Sequence, residues 1–214
     1  MAMQAAGATR TPEATAAPEP ADAPAMRIEA RPFWFLRHGE TDWNAAGLSQ
    51  GRTDVALNAR GLAQASEAAA VLAAQAGAVT RAVTAIVSSP LGRARVTAET
   101  AAAALALPVA FDPDLQEVCF GEQEGRPMGE WYDSWIAGDY TPAGAEPFAV
   151  LRARIVPAIN RALAQPGPVL VVAHGALFRA VRSAMGLAVN VRTANGLPMW
   201  CEPGEDGWSL TAVS

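Results

Sequence analysis

Two apolar runs in this chain end in the same way. Phe33-Trp-Phe-Leu-Arg-His38-Gly39 and Val169-Leu-Val-Val-Ala-His174-Gly175 each close on a histidine followed by glycine, and the chain has no other histidine. A short unbroken apolar run between turn residues reads as a strand buried on both faces, the kind found in a parallel sheet covered by helices. In an open sheet of that type, ligands bind beyond the carboxyl ends of the strands. Both imidazoles are therefore expected to emerge in one crevice, delivered there by distant parts of the sequence.

The remaining segments fit that frame. Asn58 is placed to cap a helix from about Ala59 to Ala76, stopped by Gly77. Ala85–Ser88 is a second short apolar run, and Pro90 stands where it can open a helix over Leu91–Leu105. Val109–Phe111 reads as a third strand, and 148–164 as a helix with a kink at Pro157. A further helix is expected over Ala176–Met185. Gly196–Cys201 and Trp208–Val213, separated by Pro203, Gly204 and Gly207, read as a closing hairpin. The stretch 112–147 is irregular, with Trp131, Tyr132 and Trp135 spaced for a short helix. Strands alternating with helices specify an α/β fold, a three-layer α/β/α sandwich on a mostly parallel central sheet.

At 214 residues and 51% hydrophobic content, the chain is long and apolar enough for one well-packed domain. Residues 1–31, rich in Ala, Pro and Thr with no apolar core, read as a disordered extension, with the domain over 32–214 and Met26 as an alternative start. The net charge of −5 argues against nucleic acid or an anionic membrane as partner. Cys119 and Cys201 have neither ligand nor redox spacing and read as buried free thiols of a cytoplasmic protein. All sixteen basic residues are arginine, the side chain best shaped for bidentate phosphate recognition.

Four pieces could carry chemistry. In Arg37-His38-Gly39-Glu-Thr41, a neutral imidazole can attack phosphorus while the adjacent guanidinium neutralises the phosphoryl oxygens. Gly39 allows the turn that brings two successive strand residues to one side. In Ser88-Ser89-Pro90-Leu-Gly-Arg93, the strand-to-helix junction offers free backbone N–H groups to an anion, and Arg93 can point back from the first turn while Arg95 faces elsewhere. A carboxylic acid between Glu117 and Glu130 could protonate a leaving oxygen, and chemistry alone does not choose among Glu117, Glu122, Glu124 and Glu130. His174 could stabilise charge developing on a phosphoryl oxygen.

Together these pieces resemble the histidine phosphatase superfamily, the phosphoglycerate-mutase-like fold, over residues 33 to about 182. The resemblance rests on Arg37-His38-Gly39-Glu-Thr, Gly51-Arg-Thr-Asp54, Ser89-Pro-Leu-Gly-Arg93-Ala, Leu115-x-Glu117 with Phe120-Gly121 and Glu124-Gly125, and His174-Gly175. It implies His38 as nucleophile, Glu117 as proton donor and His174 as electrostatic support. It also implies a phosphate pocket of Arg37, Arg93 and Gly175, with Asn44, Gln50 and Gly51 nearby. No metal or cofactor is implied, and the expected ligand is a small phosphorylated metabolite bound by a monomer or homodimer. The segment from Glu117 to His174 looks shorter than in cofactor-dependent phosphoglycerate mutases and lacks their Arg-Arg-Tyr cluster, which favours hydrolysis over mutase chemistry. Its Gly144-Ala-Glu146-Pro147 replaces a Gly-Glu-Ser of many small phosphatases. Trp131, Tyr132 and Trp135 are candidates for the pocket wall, and Arg52 and Arg126 for substrate charge. A silent member that only binds phosphorylated partners is the rival from outside enzymology.

Overall fold

The computed structural model describes residues 26–78 and 80–214. Its elements in chain order are β1 (Phe33–Arg37), α1 (Asp42–Ala45), α2 (Ala59–Ala74), β2 (Ala85–Ser88), α3 (Gly92–Leu105) and β3 (Val109–Phe111). Then follow α4 (Trp131–Ala137), α5 (Phe148–Leu163), β4 (Val169–Ala173), α6 (Gly175–Ala184), β5 (Pro198–Gly204) and β6 (Gly207–Ala212). The strands form one sheet in the order β3-β2-β4-β1-β5-β6. β3, β2, β4 and β1 are parallel, and the β5–β6 hairpin is antiparallel.

The two faces of the sheet are covered separately, as the period-2 alternation of strand side chains requires. Phe33, Phe35, Val169, Val171 and Ala173 pack with α5 and α6. Trp34, Leu36, Leu170 and Val172 pack with α2 and α3. The result is the three-layer α/β/α arrangement expected from the sequence. β4 and β1 lie side by side in the middle, with Arg37 in register with Ala173. The two His-Gly turns therefore leave the sheet together.

Several local features differ from the sequence expectation. The loop after β1 contains α1, capped by Thr41 and Asn44, each accepting from the other's backbone N–H. Pro203 and Gly204 lie within β5, not in the turn, which is Glu205-Asp206. The pairing of β5 with β1 ends at Cys201, so a proline at 203 removes no bond to the sheet interior. Helix α5 continues through Pro157. Cys119 is half-buried, not buried, and its thiol lies 3.4 Å from the Gly144 carbonyl.

Of the expected extension 1–31, residues 1–25 lie outside the described residues. The rest, 26–31, is docked on the domain. Ile28 is buried in the core, Glu29 N–H donates to Asn160 Oδ1 at 3.0 Å, and Arg31 reaches the Leu163 carbonyl. No helix among the described residues is long and apolar enough to cross a membrane.

Candidate active site

The site is built where β1 and β4 end. His38 continues the ladder for one bond, its N–H donating to the Ala173 carbonyl at 3.0 Å. Arg37 faces the α6 side, following the alternation of Phe33 and Phe35, and Gly175 packs against its guanidinium. The chain then turns at Gly39, whose N–H donates to Thr97 Oγ1 at 3.1 Å. A Cβ on Gly39 would strike the Gly61 backbone, so this turn admits only glycine. His38 follows the same alternation to the α3 side, where Arg93 lies, so the turn does not bring Arg37 and His38 to one side as the sequence suggested; both reach the cleft from opposite faces.

The two nitrogens of His38 have separate partners. Nδ1 lies 2.7 Å from the Gly39 carbonyl oxygen and can only be a donor there. Nε2 is left as the acceptor, and Arg93 Nε donates to it at 3.3 Å. Burial, then the charges of Arg93 and Arg37, hold this imidazole well below its usual titration range. It is a neutral ring with its lone pair on Nε2.

Arg93 is fully buried, from the first turn of α3. Its Nη1 donates to the Thr53 carbonyl at 2.8 Å and its Nη2 to the Gly51 carbonyl at 2.7 Å. Gly51 adopts φ +56°, and Glu124 fastens the loop from beneath by accepting from Arg52 N, Thr53 N, Thr53 Oγ1 and Phe120 N. Burial alone would push the Glu124 carboxyl up, but these hydrogen bonds outweigh it and hold it below its ordinary range. The expected anion cradle at the β2–α3 junction is already filled. Leu91 N–H donates to Ser89 Oγ and Gly92 N–H to Asp54 Oδ2, so these donors serve the fold.

Of the four glutamates, Glu117 is the one that lines the cleft. It accepts from Ala176 N at 3.0 Å and Leu177 N at 2.9 Å, in the first turn of α6, and from its own neighbour Val118 N. Those helix donors fix the Glu117 carboxyl group beside Gly175. His174 is fully buried behind the cleft lining, its ring 5.2 Å from that of His38. Its Nε2 lies 2.7 Å from Ser89 Oγ, while Nδ1 is buried without a protein partner. Burial, then Arg93 and His38, keep this ring neutral as well. Ser89 was not recognisable in the sequence as the partner of His174.

The cleft holds about 300 Å³. Arg37, Asn44, Gln50, Gly51 and Gly175 all line it. Asn44 spends its Oδ1 on Thr41 N and Asn195 Nδ2, and Gln50 Oε1 is buried without a partner. Arg37 Nη1 donates to the Thr193 carbonyl at 2.7 Å, its Nε is unpartnered, and burial pulls its guanidinium down to about 10. Tyr132 reaches the cleft, whereas Trp135 is wholly in the core and Trp131 packs against Phe120. Arg52 and Arg126 do not line it. Arg52 faces Glu146, which Arg154 clamps at 2.7 Å, so Glu146 braces the fold. Sequence reasoning missed Arg179 and Arg192, which also line the cleft. Among the described residues no group of three or more His, Cys, Asp or Glu side chains is placed to hold a metal ion.

Comparison with known proteins identifies the family and the fold. A model of the histidine phosphatase superfamily (branch 1) matches residues 33–210. The chain is 35% identical over 182 residues to a probable phosphoglycerate mutase of Proteus mirabilis, covering 79% of this chain and 77% of that protein. It is 36% identical over 149 residues to an uncharacterized phosphatase of Bacillus subtilis, covering 69% and 73%. Among solved structures, a mycobacterial glucosyl-3-phosphoglycerate phosphatase in complex with VO3 superposes with a TM-score of 0.73 at 29% identity, over 85% of this chain and 97% of that one. A putative alpha-ribazole-5'-P phosphatase from Escherichia coli gives a TM-score of 0.70 at 26% identity, over 87% and 97%.

Proposed function

Because the chain belongs to the histidine phosphatase superfamily (branch 1), we propose that it is a metal-independent phosphomonoesterase that hydrolyses a small phosphorylated metabolite through a phosphohistidine. The observation that carries this reading is the state of His38: a neutral ring, Nδ1 pinned to Gly39, Nε2 exposed to the Arg93 guanidinium at 3.3 Å. A lone pair so oriented, beside two arginines and a carboxylic acid, suits in-line attack on phosphorus.

In the first step the Nε2 lone pair forms a bond to phosphorus, and the bond from phosphorus to the ester oxygen breaks. The departing oxygen takes its proton from Glu117. Arg37, Arg93 and the Nδ1–H of His174 receive the equatorial oxygens, supplying the charge that metal ions provide in other phosphoryl-transfer sites. In the second step a water oxygen attacks phosphorus while its proton passes to Glu117. The N–P bond breaks, returning neutral His38 and orthophosphate. In this reading Asn44 and Gln50, which line the cleft, orient oxygens of the phosphate and of the leaving group respectively.

Hydrolysis is favoured over mutase chemistry by what covers the cleft. A mutase must keep water from its phosphoenzyme. Here the segment between Glu117 and His174 turns its bulk inward, with Trp135 and Phe148 in the core, and lends the cleft only Phe120, Met128 and Tyr132.

The test is release of phosphate from a panel of esters in excess EDTA. Wild type is expected to turn over and to yield an acid-labile phosphoprotein, and His38→Ala to lose on the order of 10³-fold or more in kcat. Undiminished activity of His38→Ala would refute the mechanism. Isomerisation of a phosphoglycerate that depends on a bisphosphate primer, with no net phosphate release, would replace the reading with a mutase. Tight phospho-ligand binding without any turnover would replace it with a binding role.

A further inference from the structure

Four arginines line the cleft, Arg37, Arg93, Arg179 and Arg192, against one carboxylate, Glu117. In a chain of net charge −5 that is a local concentration of the opposite sign. A phosphate monoester carries at most two negative charges, and Arg37 and Arg93 already stand beside His38 to meet them. The other two cations are surplus to a simple ester. Among the described residues neither Arg179 nor Arg192 forms an ion pair with a carboxylate.

Arg179 is also held in place. On the second turn of α6, its Nε donates to Asn190 Oδ1 at 3.1 Å and its Nη1 to the Gly175 carbonyl at 3.3 Å. Its guanidinium lies 5.1 Å from the centroid of the Tyr132 ring. Asn190 is fixed in turn by Asp133, which keeps that acid one amide away from the guanidinium. A long side chain loses considerable rotamer entropy when fixed this way, and a preorganised fork is what bidentate recognition of an oxyanion uses. Arg192 is exposed and adjoins Thr193, whose carbonyl accepts from Arg37. Arg37 therefore bridges the phosphate site and a cationic edge. Burial lowers the Arg37 pKa and the Glu117 charge raises it, while the charges of Arg179 and Arg192 lower it further, a repulsion that a second anion would relieve.

We propose that Arg179 and Arg192 form a second anion subsite, and that the preferred substrate is a phosphate monoester whose alcohol portion carries a further carboxylate or phosphate. The assignment of which end reacts rests on the phosphatase reading; the subsite itself does not.

The test is calorimetric titration of the His38→Ala protein, which holds esters without turning them over. The probes are glycerol 3-phosphate, 3-phosphoglycerate and glycerol 1,3-bisphosphate, which share a backbone and differ in the second group. At least one of the two doubly anionic probes is expected to bind ten times or more tighter than glycerol 3-phosphate, and the tighter one identifies the anion. Added separately, Arg179→Gln and Arg192→Gln should each cut that advantage severalfold, while changing glycerol 3-phosphate affinity less than about threefold. Equal affinity for all three probes overturns the proposal, as does uniform weakening by both variants. Arg192 makes no hydrogen bond to another side chain among the described residues, so its variant decides the matter if Arg179→Gln fails to fold. Failure of wild type to hydrolyse any ester would remove the phosphatase reading and leave these binding results intact.

Discussion

His174 has two ring nitrogens and a protein partner for only one of them. To donate to a phosphoryl oxygen, the buried Nδ1 must carry the proton, and Nε2 must then accept from Ser89 Oγ at 2.7 Å. Ser89 can supply that hydrogen because its oxygen lone pair, not its hydrogen, is engaged by Leu91 N at 3.3 Å. Ser89→Ala removes the donor and frees the ring to take the other tautomer, which turns a lone pair toward the phosphate. We expect kcat to fall on the order of 10²-fold with the fold retained, and ¹⁵N NMR of the ring to move from the Nδ1–H toward the Nε2–H form. A wild-type ring already in the Nε2–H form would refute the assignment. His38 and Arg37 were legible as a pair because they are adjacent and end an apolar run. Ser89 was not, because its partner lies 85 positions away and no local pattern marks a serine as a histidine's donor.

At the level of elements, Arg93 is only as well placed as the loop that holds it. Gly51 and Thr53 offer it their carbonyls, and Glu124 holds that loop through three donors and is itself fixed by Phe120 N–H. Glu124 acts through Arg93 and not on the phosphate itself. Glu124→Ala should therefore weaken vanadate binding and lower kcat/KM about 10-fold, with a stability loss of about 1–2 kcal/mol because the carboxylate is partly exposed. Vanadate titration beside thermal melting separates the two: a drop in melting temperature with unchanged vanadate affinity would deny the link to Arg93. The sequence resolved β1, β2, β3 and β4 to the residue, because glycine, proline or a polar cluster punctuates each apolar run. It missed α1, whose four residues carry too little periodicity to see. It misplaced the hairpin turn because Pro203 and Gly204 are tolerated in a strand that has already left its inner neighbour. Arg179 had a faint signal, being four positions from Gly175 and so above it on α6. Arg192 had none, since it reaches the cleft from an irregular segment. The Glu117 carboxylate could be chosen by resemblance alone; the reason it is held, two N–H groups at the start of α6, is visible only in three dimensions.

For the molecule as a whole, placing both of its histidines inside the protein among arginines ties folding to pH. Each ring has its pKa lowered, chiefly by burial, so the native state refuses protons that the unfolded chain accepts below about pH 6.5. The unfolded state then binds more protons, and stability rises with pH in that region. The stabilisation of the neutral rings is complete above pH 6.5 and declines as pH falls below it, by up to about 2.7 kcal/mol per pH unit for two independent groups. Against a total of roughly 5–15 kcal/mol for a domain, that is a large dependence. Since the chain contains no third histidine, the interval from pH 7.5 to 5.5 reports on the site almost alone. Urea unfolding across it should show a steep loss of stability toward acid, and His174→Asn should roughly halve the slope. A slope that is flat in the free protein, or unaltered by His174→Asn, would mean that the rings are not held neutral by the fold. The nucleophile assigned to His38 would then lose its physical basis.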